Sequence, residues 1–205
     1  MTSRAARWSR LHHGIDPAGV PLLAPWLRAM WWLARPLATL GIAPSVLTVL
    51  GPCAAVGAAA LASSVPLVAL LLVVVAVLMD GLDGAVAVVA DRAGARGPVL
   101  DRIADRVSDC AFAVVLWRCG APWELAAAAG ALSLLHEAVR DVRGGRLRSA
   151  ITVAERPSRT VCTVLACLCA AISAAAWPPT VCAAVWVALA VVGLGQLSRA
   201  GGRAS

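Results

Sequence analysis

Apolar runs of about twenty residues alternate with short polar connections along most of this chain. Runs of that length match transmembrane helices. They predict six spans, at roughly 43–63, 66–90, 98–118, 122–142, 158–176 and 179–198. Each has a proline near its start: Pro44, Pro66, Pro98, Pro122, Pro157 and Pro179. Proline is tolerated in a first helical turn, where its missing N–H would have no partner anyway. Ahead of the spans, residues 18–40 predict an interfacial helix. Arg28 and Arg35 share one face, while Trp26, Leu27, Met30 and Trp31 can dip into the headgroup boundary. A loop with chance tryptophans is the plainer alternative. The expected fold class is an all-α integral membrane protein. Six transmembrane helices would follow an amphipathic interfacial helix, in one domain over residues 1–205 with its bundle at 43–198.

Composition agrees with this pattern. Of 205 residues, 60% are hydrophobic and 14% charged, and mean hydropathy is +0.82. A soluble domain is nearer half apolar and a quarter charged. The amino-terminal twenty residues hold Arg4, Arg7, Arg10, His12, His13 and Asp16 without an apolar core, so no cleavable signal is expected. The net charge of +7 could point to nucleic acid, but the distribution of charge argues otherwise. All 18 basic residues are arginine, and 17 fall on one side of the predicted topology. They lie before the first span, on or beside the connections between the second and third and between the fourth and fifth, and after the sixth. Arg118 alone is on the other side. By the positive-inside rule, both termini face the cytoplasm, and the chain is multi-pass in the cytoplasmic (inner) membrane. The eight tryptophans lie mostly near span ends, as interfacial anchors do. Seven cysteines fall mostly inside apolar runs without zinc-site spacing, and read as small packing residues.

One stretch breaks the apolar pattern. Residues 79–109, "MDGLDGAVAVVADRAGARGPVLDRIADRVSD", hold six of the eleven acidic residues. Asp80 and Asp83 are spaced i, i+3; Asp101, Asp105 and Asp109 follow at i+4 steps. On helices these spacings stack side chains on one face. A carboxylate in a bilayer costs about 2.5–3.5 kcal/mol on insertion scales, and like charges add repulsion. Arginine pairing, water in a cytoplasmic cavity or a divalent metal could each compensate. Carboxylates from two helices, with few nitrogen or sulfur ligands nearby, suit Mg²⁺ or Mn²⁺. A salt-bridged helix pair without chemistry is the plain alternative. Gly81, Gly84 and Gly97 add about 1 kcal/mol each of helix cost relative to alanine. Either ligand approach or close helix packing would account for them.

Asp80-Gly-Leu-Asp83-Gly84-Ala-Val-Ala87 and Gly97-Pro-Val-Leu-Asp101-Arg-Ile-Ala-Asp105 resemble the signature of the CDP-alcohol phosphatidyltransferases. That signature is D-x-x-D-G-x-x-A-R, eight residues, then G-x-x-x-D-x-x-x-D, and every spacing agrees, with Val89 to Arg96 as the eight residues. The family has arginine after the alanine; this chain has Val88, with Arg92 and Arg96 as the nearest replacements. "GIAPSVLTVLG" resembles the family's first span. "VLDRIADRVSD" and "AERPSR" most resemble bacterial phosphatidylinositol phosphate synthases.

The resemblance implies transfer of a phosphatidyl group from CDP-diacylglycerol to a polar alcohol, with release of CMP. It implies Asp80, Asp83, Asp101 and Asp105 as ligands of two Mg²⁺ or Mn²⁺ ions, and Asp105 as the general base. Ser45, Val46, Leu47, Thr48, Gly84, Val88 and Gly94 would line the CDP-lipid site. Arg140, Arg156 and Arg159 would bind an acceptor phosphate, such as that of inositol phosphate, and a homodimer is implied. His136 and Glu137 receive no role, nor does Asp91. Arg143, Arg146 and Arg148 read as topology-setting or lipid-contacting. Phosphatidylglycerophosphate synthase or another CDP-alcohol transferase is the alternative within the class. Outside it stand a membrane transporter and an inactive relative.

Overall fold

The structure, a computed structural model, describes residues 23–90, 97–143 and 151–202. The described residues contain seven helices and no strand. In order these are α1 (Leu23–Thr39), α2 (Pro44–Leu61), α3 (Pro66–Val89), α4 (Gly97–Arg118), α5 (Trp123–Arg143), α6 (Arg156–Ile172) and α7 (Trp177–Gly202). Each predicted run corresponds to one helix. The prolines mark the starts: Pro44 and Pro66 open α2 and α3, and Pro157 is the second residue of α6. The largest differences lie at the carboxyl end. α6 stops at Ile172 rather than 176, because Ser173 is extended and its hydroxyl accepts the Ala175 N–H at 3.2 Å. α7 begins two residues earlier than predicted and runs further.

Three helices, α2, α3 and α7, are long and apolar enough to cross a membrane, with mean hydropathies of 1.7, 2.3 and 2.0. The other three predicted spans fall short for visible reasons. α4 crowds five charges between Asp101 and Asp109, α5 crowds four between Glu137 and Arg143, and α6 has 17 residues.

The chain divides into two compact units. The first combines Met1–Gly51 with Val77–Ala104, the second Pro52–Ala76 with Asp105–Ser205. In the first, Met30 and Ala34 of α1, Leu47 of α2, and Leu82, Ala85 and Val86 of α3 form a buried core. The apolar stripe of α1 is therefore used for packing, while Arg28, Trp32 and Arg35 are exposed. α1 ends in a Schellman turn, where Gly41 at φ 74° lets its own N–H reach Ala38 and that of Ile42 reach Leu37.

Small residues set the second unit. α7 packs on both α5 and α6. A methyl group added at Gly193 would stand 2.5 Å from Ala154 Cβ and 3.3 Å from His136 Nε2. Trp186 is buried in the same region and donates its indole N–H to the Ser133 hydroxyl at 2.8 Å. A second Schellman turn closes α4, with Gly120 at φ 116°. All seven cysteines are free thiols; Cys119 and Cys167 bring their sulfurs to 3.9 Å.

Candidate active site

The last turns of α3 carry the first two aspartates. Leu82, Ala85 and Val86 turn into the core of the first unit and fix the rotation of the helix. Asp80 is half-buried and Asp83 buried. Thr48, one turn into α2, donates its hydroxyl to the Pro44 carbonyl at 3.1 Å and stands beside the Asp83 carboxylate, which also meets the Gly84 backbone N–H and the charges of Asp101 and Asp80. Carboxylate oxygens of Asp80 and Asp101 lie within 4.8 Å of one another. α4 runs on from Asp101 without a break, and Asp105 follows one turn later.

A Cβ at Gly84 or Gly97 would meet nothing within 4 Å. These glycines border open space beside the aspartates, which favours ligand approach over tight helix packing as their purpose. Gly81 differs: a Cβ there would come to 3.0 Å from both Met30 and Trp26, so it seats α1 on α3.

The sequence-predicted CDP-lipid residues separate by position. Thr48 touches an aspartate and Leu47 is in the core, while Ser45 and Val46 are exposed. Val88 is 2% exposed, so the position where the family carries arginine is packed here. Gly94, Asp91, Arg92 and Arg96 lie outside the described residues, as do Arg4, Arg7, Arg10, Arg146, Arg148 and Arg203.

In the second unit, α4, α5 and α6 meet through charge. Asp105 pairs with Arg156 at 2.7 Å. Arg106 reaches Asp141 at 3.2 Å and Glu137 at 3.9 Å. Asp109 forms an ion pair with Arg159, and both are only 2% exposed. Three further guanidinium hydrogens of Arg159 go to Glu137 at 3.0 Å and to the Ala154 carbonyl at 2.9 and 3.1 Å. Arg140 holds Glu155 through two contacts, at 2.5 and 3.1 Å. Arg140 and Arg156 are partly exposed, whereas Arg159 is enclosed.

His136 and Glu137 also find their places here. The Thr152 hydroxyl donates to Glu155 at 3.1 Å, so its oxygen accepts from His136 Nε2 at 3.0 Å. That leaves His136 Nδ1 as the acceptor facing Arg159 at 3.4 Å. Burial alone would raise the Glu155 carboxyl. The Arg140 guanidinium, with the Thr152 N–H and hydroxyl, outweighs burial and holds it below the usual carboxylate range. Sequence reading did not single out Thr152 or Glu155 as site residues; only the "AERPSR" resemblance came near them. Asp109 did carry a signal, its i+4 alignment with Asp105.

The profile of the family described as CDP-alcohol phosphatidyltransferase matches residues 41–195. This chain belongs to that family. A sequence comparison with curated proteins finds no significant match. Among solved structures, the chain is similar to Mycobacterium tuberculosis phosphatidylinositol phosphate synthase with CDP-DAG bound. The TM-score is 0.66 at 25% identity, over 84% of this chain and 91% of that one. It is also similar to the same enzyme in complex with manganese and citrate, with TM-score 0.61, 25% identity, and 83% and 86% covered. As a member of the CDP-alcohol phosphatidyltransferases, the chain is a transferase of phospholipid synthesis. Its aspartates fit a divalent cation by donor chemistry: Asp80 and Asp101 converge as hard oxygen donors, with no cysteine or histidine among them.

Proposed function

We propose that this chain transfers a phosphatidyl group from CDP-diacylglycerol to the hydroxyl of a small polar alcohol, releasing CMP. The observation that carries the reading is the convergence of Asp80 and Asp101, with Asp83 against Thr48, inside the matched signature. The structural relative that binds CDP-DAG supports the donor. Asp80, Asp83, Asp101 and Asp105 would hold two Mg²⁺ or Mn²⁺ ions. Such ions would neutralise the donor diphosphate and stabilise the leaving phosphate.

The chain's own groups do the rest. Thr48 sets a polar wall beside the Asp83 carboxylate. The open space at Gly84 admits the nucleotide part of the donor alongside Ser45–Thr48, Val88 and Gly94. Asp105 takes the proton of the acceptor hydroxyl; for that it must be ionised and within hydrogen-bond reach. Arg140 and Arg156, partly exposed, would bind an anionic acceptor such as a phosphorylated inositol, with Arg159 fastening α6 beneath them. The arginine asymmetry supports six spans, with both termini and this site on the cytoplasmic side. The family relationship favours a homodimer.

Purified protein supplied with CDP-diacylglycerol, Mn²⁺ and a panel of alcohols tests this. Metal-dependent CMP release with one phosphorylated acceptor is the expected result. Release with glycerol phosphate instead would reassign the acceptor. No release with any alcohol would favour an inactive relative, the reading that Val88 motivates.

A further inference from the structure

We propose that Cys119 and Cys167 form a reversible disulfide that clips the end of α4 to α6. Both are free thiols here, and their sulfurs stand 3.9 Å apart although the residues are 48 positions apart in the chain. A disulfide bond is about 2.05 Å long, so the sulfurs must close by roughly 2 Å, a movement on the scale of a side-chain rotation.

The backbone around the pair is held. Cys119 is the first residue beyond α4, and its N–H still reaches the Val115 carbonyl at 2.9 Å. Gly120 then turns the chain at φ 116°. A Cβ there would stand 3.5 Å from Ala176, so this turn rests on the connection between α6 and α7. Cys167 is enclosed in α6. α4 and α6 thus meet at three levels: Asp105 with Arg156, Asp109 with Arg159, then sulfur with sulfur. The first two contacts are ionic; only the third can become covalent. Cys119 follows Asp105 by 14 residues, about 21 Å at helical rise, so the clip closes well away from the aspartates.

Exposure sets the order of reaction. Cys119 is half-buried at a span end, near the exposed Trp117 and Trp123 in sequence, where interfacial tryptophans mark the headgroup level. A Cys119 thiolate there attacks a small-molecule or protein disulfide, forms a mixed disulfide and releases one thiol. Cys167 then gives up its proton and attacks the Cys119 sulfur, expelling the second thiol. The two cysteines lose two electrons and two protons, and the attacked disulfide is reduced to two thiols. By the arginine asymmetry this end of the bundle faces away from the cytoplasm, where disulfides persist. The supply of oxidant rests on that topological reading; the pairing of the two sulfurs does not.

The test uses reduced full-length protein in detergent, treated with oxidised glutathione. Wild type, Cys119→Ser and Cys167→Ser are compared by peptide mapping without reductant and by thermal melting. Wild type should yield a Cys119–Cys167 linkage and melt higher by about 4 °C or more, since the bond closes a long loop. A reductant should reverse both changes, and neither variant should show them. Cys119→Ser decides alone if Cys167→Ser does not fold. A glutathione adduct on Cys119 without the linkage overturns the proposal. So does a linkage from Cys119 to Cys182, which also lies near it. Linkage without a change in melting removes the clip as a stabilising tie. Protein from intact expressing bacteria, acid-quenched and alkylated before lysis, should carry the same linkage. Its absence there, with linkage in detergent, overturns the outward placement and leaves the pairing standing.

Discussion

Asp83 and Asp109 are both buried carboxylates, 7% and 2% exposed, in adjacent helices of one motif region. Their surroundings differ. Around Asp83 stand a hydroxyl, a backbone N–H and two further carboxylates. Asp109 faces the Arg159 guanidinium, which is itself tied to Glu137 and to the Ala154 carbonyl. Like charges gathered close together repel one another. Matched charges tied into a hydrogen-bond network hold helices in register. The first arrangement gathers hard oxygen donors that suit a cation; the second pairs opposite charges within the protein. The difference teaches how to tell a carboxylate kept for chemistry from one kept for architecture.

The largest expected effect breaks the chemistry and spares the fold. Asp105→Asn should lower CMP release by about 10²–10⁴-fold, the range for loss of a general base. Its melting temperature should stay near that of wild type. Normal turnover in the purified variant would remove Asp105 from the role of base.

The opposite pattern is expected in the network. Arg159→Met leaves Asp109 buried without its partner, and should cost about 3–5 kcal/mol of stability. Chemical denaturation in detergent measures it. Replacing Asp109 by Leu in the same chain should recover much of the loss, because removing both charges removes the stranded one. No recovery in the double variant would make Arg159 more than a structural tie.

How much of this was legible beforehand follows from the same physics. The helices were readable because lipid demands long apolar runs, and because prolines mark first turns. Their number as spans was less so, since α4 and α5 mix site charges into the apolar pattern and α6 is short. The aspartates were readable because a motif is local in sequence and helical spacing is regular. The network was not. Arg159 meets Asp109 across 50 positions and Glu137 across 22, and nothing in their spacing announces either contact. Val88 shows a third case: the substitution was visible, but that it is packed needed three dimensions.

A smaller effect is expected at Gly193. A methyl group there meets Ala154 at 2.5 Å, and Ala154 carries the carbonyl that holds Arg159. Gly193→Ala should cost about 1–3 kcal/mol by overpacking, again read by denaturation. Gly84→Ala, facing open space, should leave stability nearly unchanged and weaken donor binding instead. Equal stability losses at both glycines would erase the distinction between the two regions.

Acid should separate them as well. The Glu155 carboxyl titrates below its ordinary range in the folded protein. Its contribution is therefore fully present above its unfolded value, about 4.3, and is lost as pH falls through the lower folded value. Melting temperature followed from pH 7 downward should drop more steeply below about pH 4 in wild type than in Glu155→Gln. Parallel curves would mean that Arg140 and Thr152 do not act on Glu155 as the geometry indicates.

The smallest expected effect is also the one most directly opposed to intuition. Asp83→Asn removes a charge from a cluster of three while leaving an oxygen beside Thr48. Two unit charges at about 4 Å repel by about 1 kcal/mol at aqueous permittivity, and by more as burial lowers it. The variant should thus melt slightly higher than wild type in the presence of a chelator. Added Mn²⁺ should reverse the order, because wild type gains binding free energy that the variant has lost. At a hundred times the dissociation constant that gain is about 2.7 kcal/mol. A variant less stable than wild type under both conditions would mean that Asp83, like Asp109, is architectural. A crossing of the two orders assigns the cluster to a cation and the network to the fold.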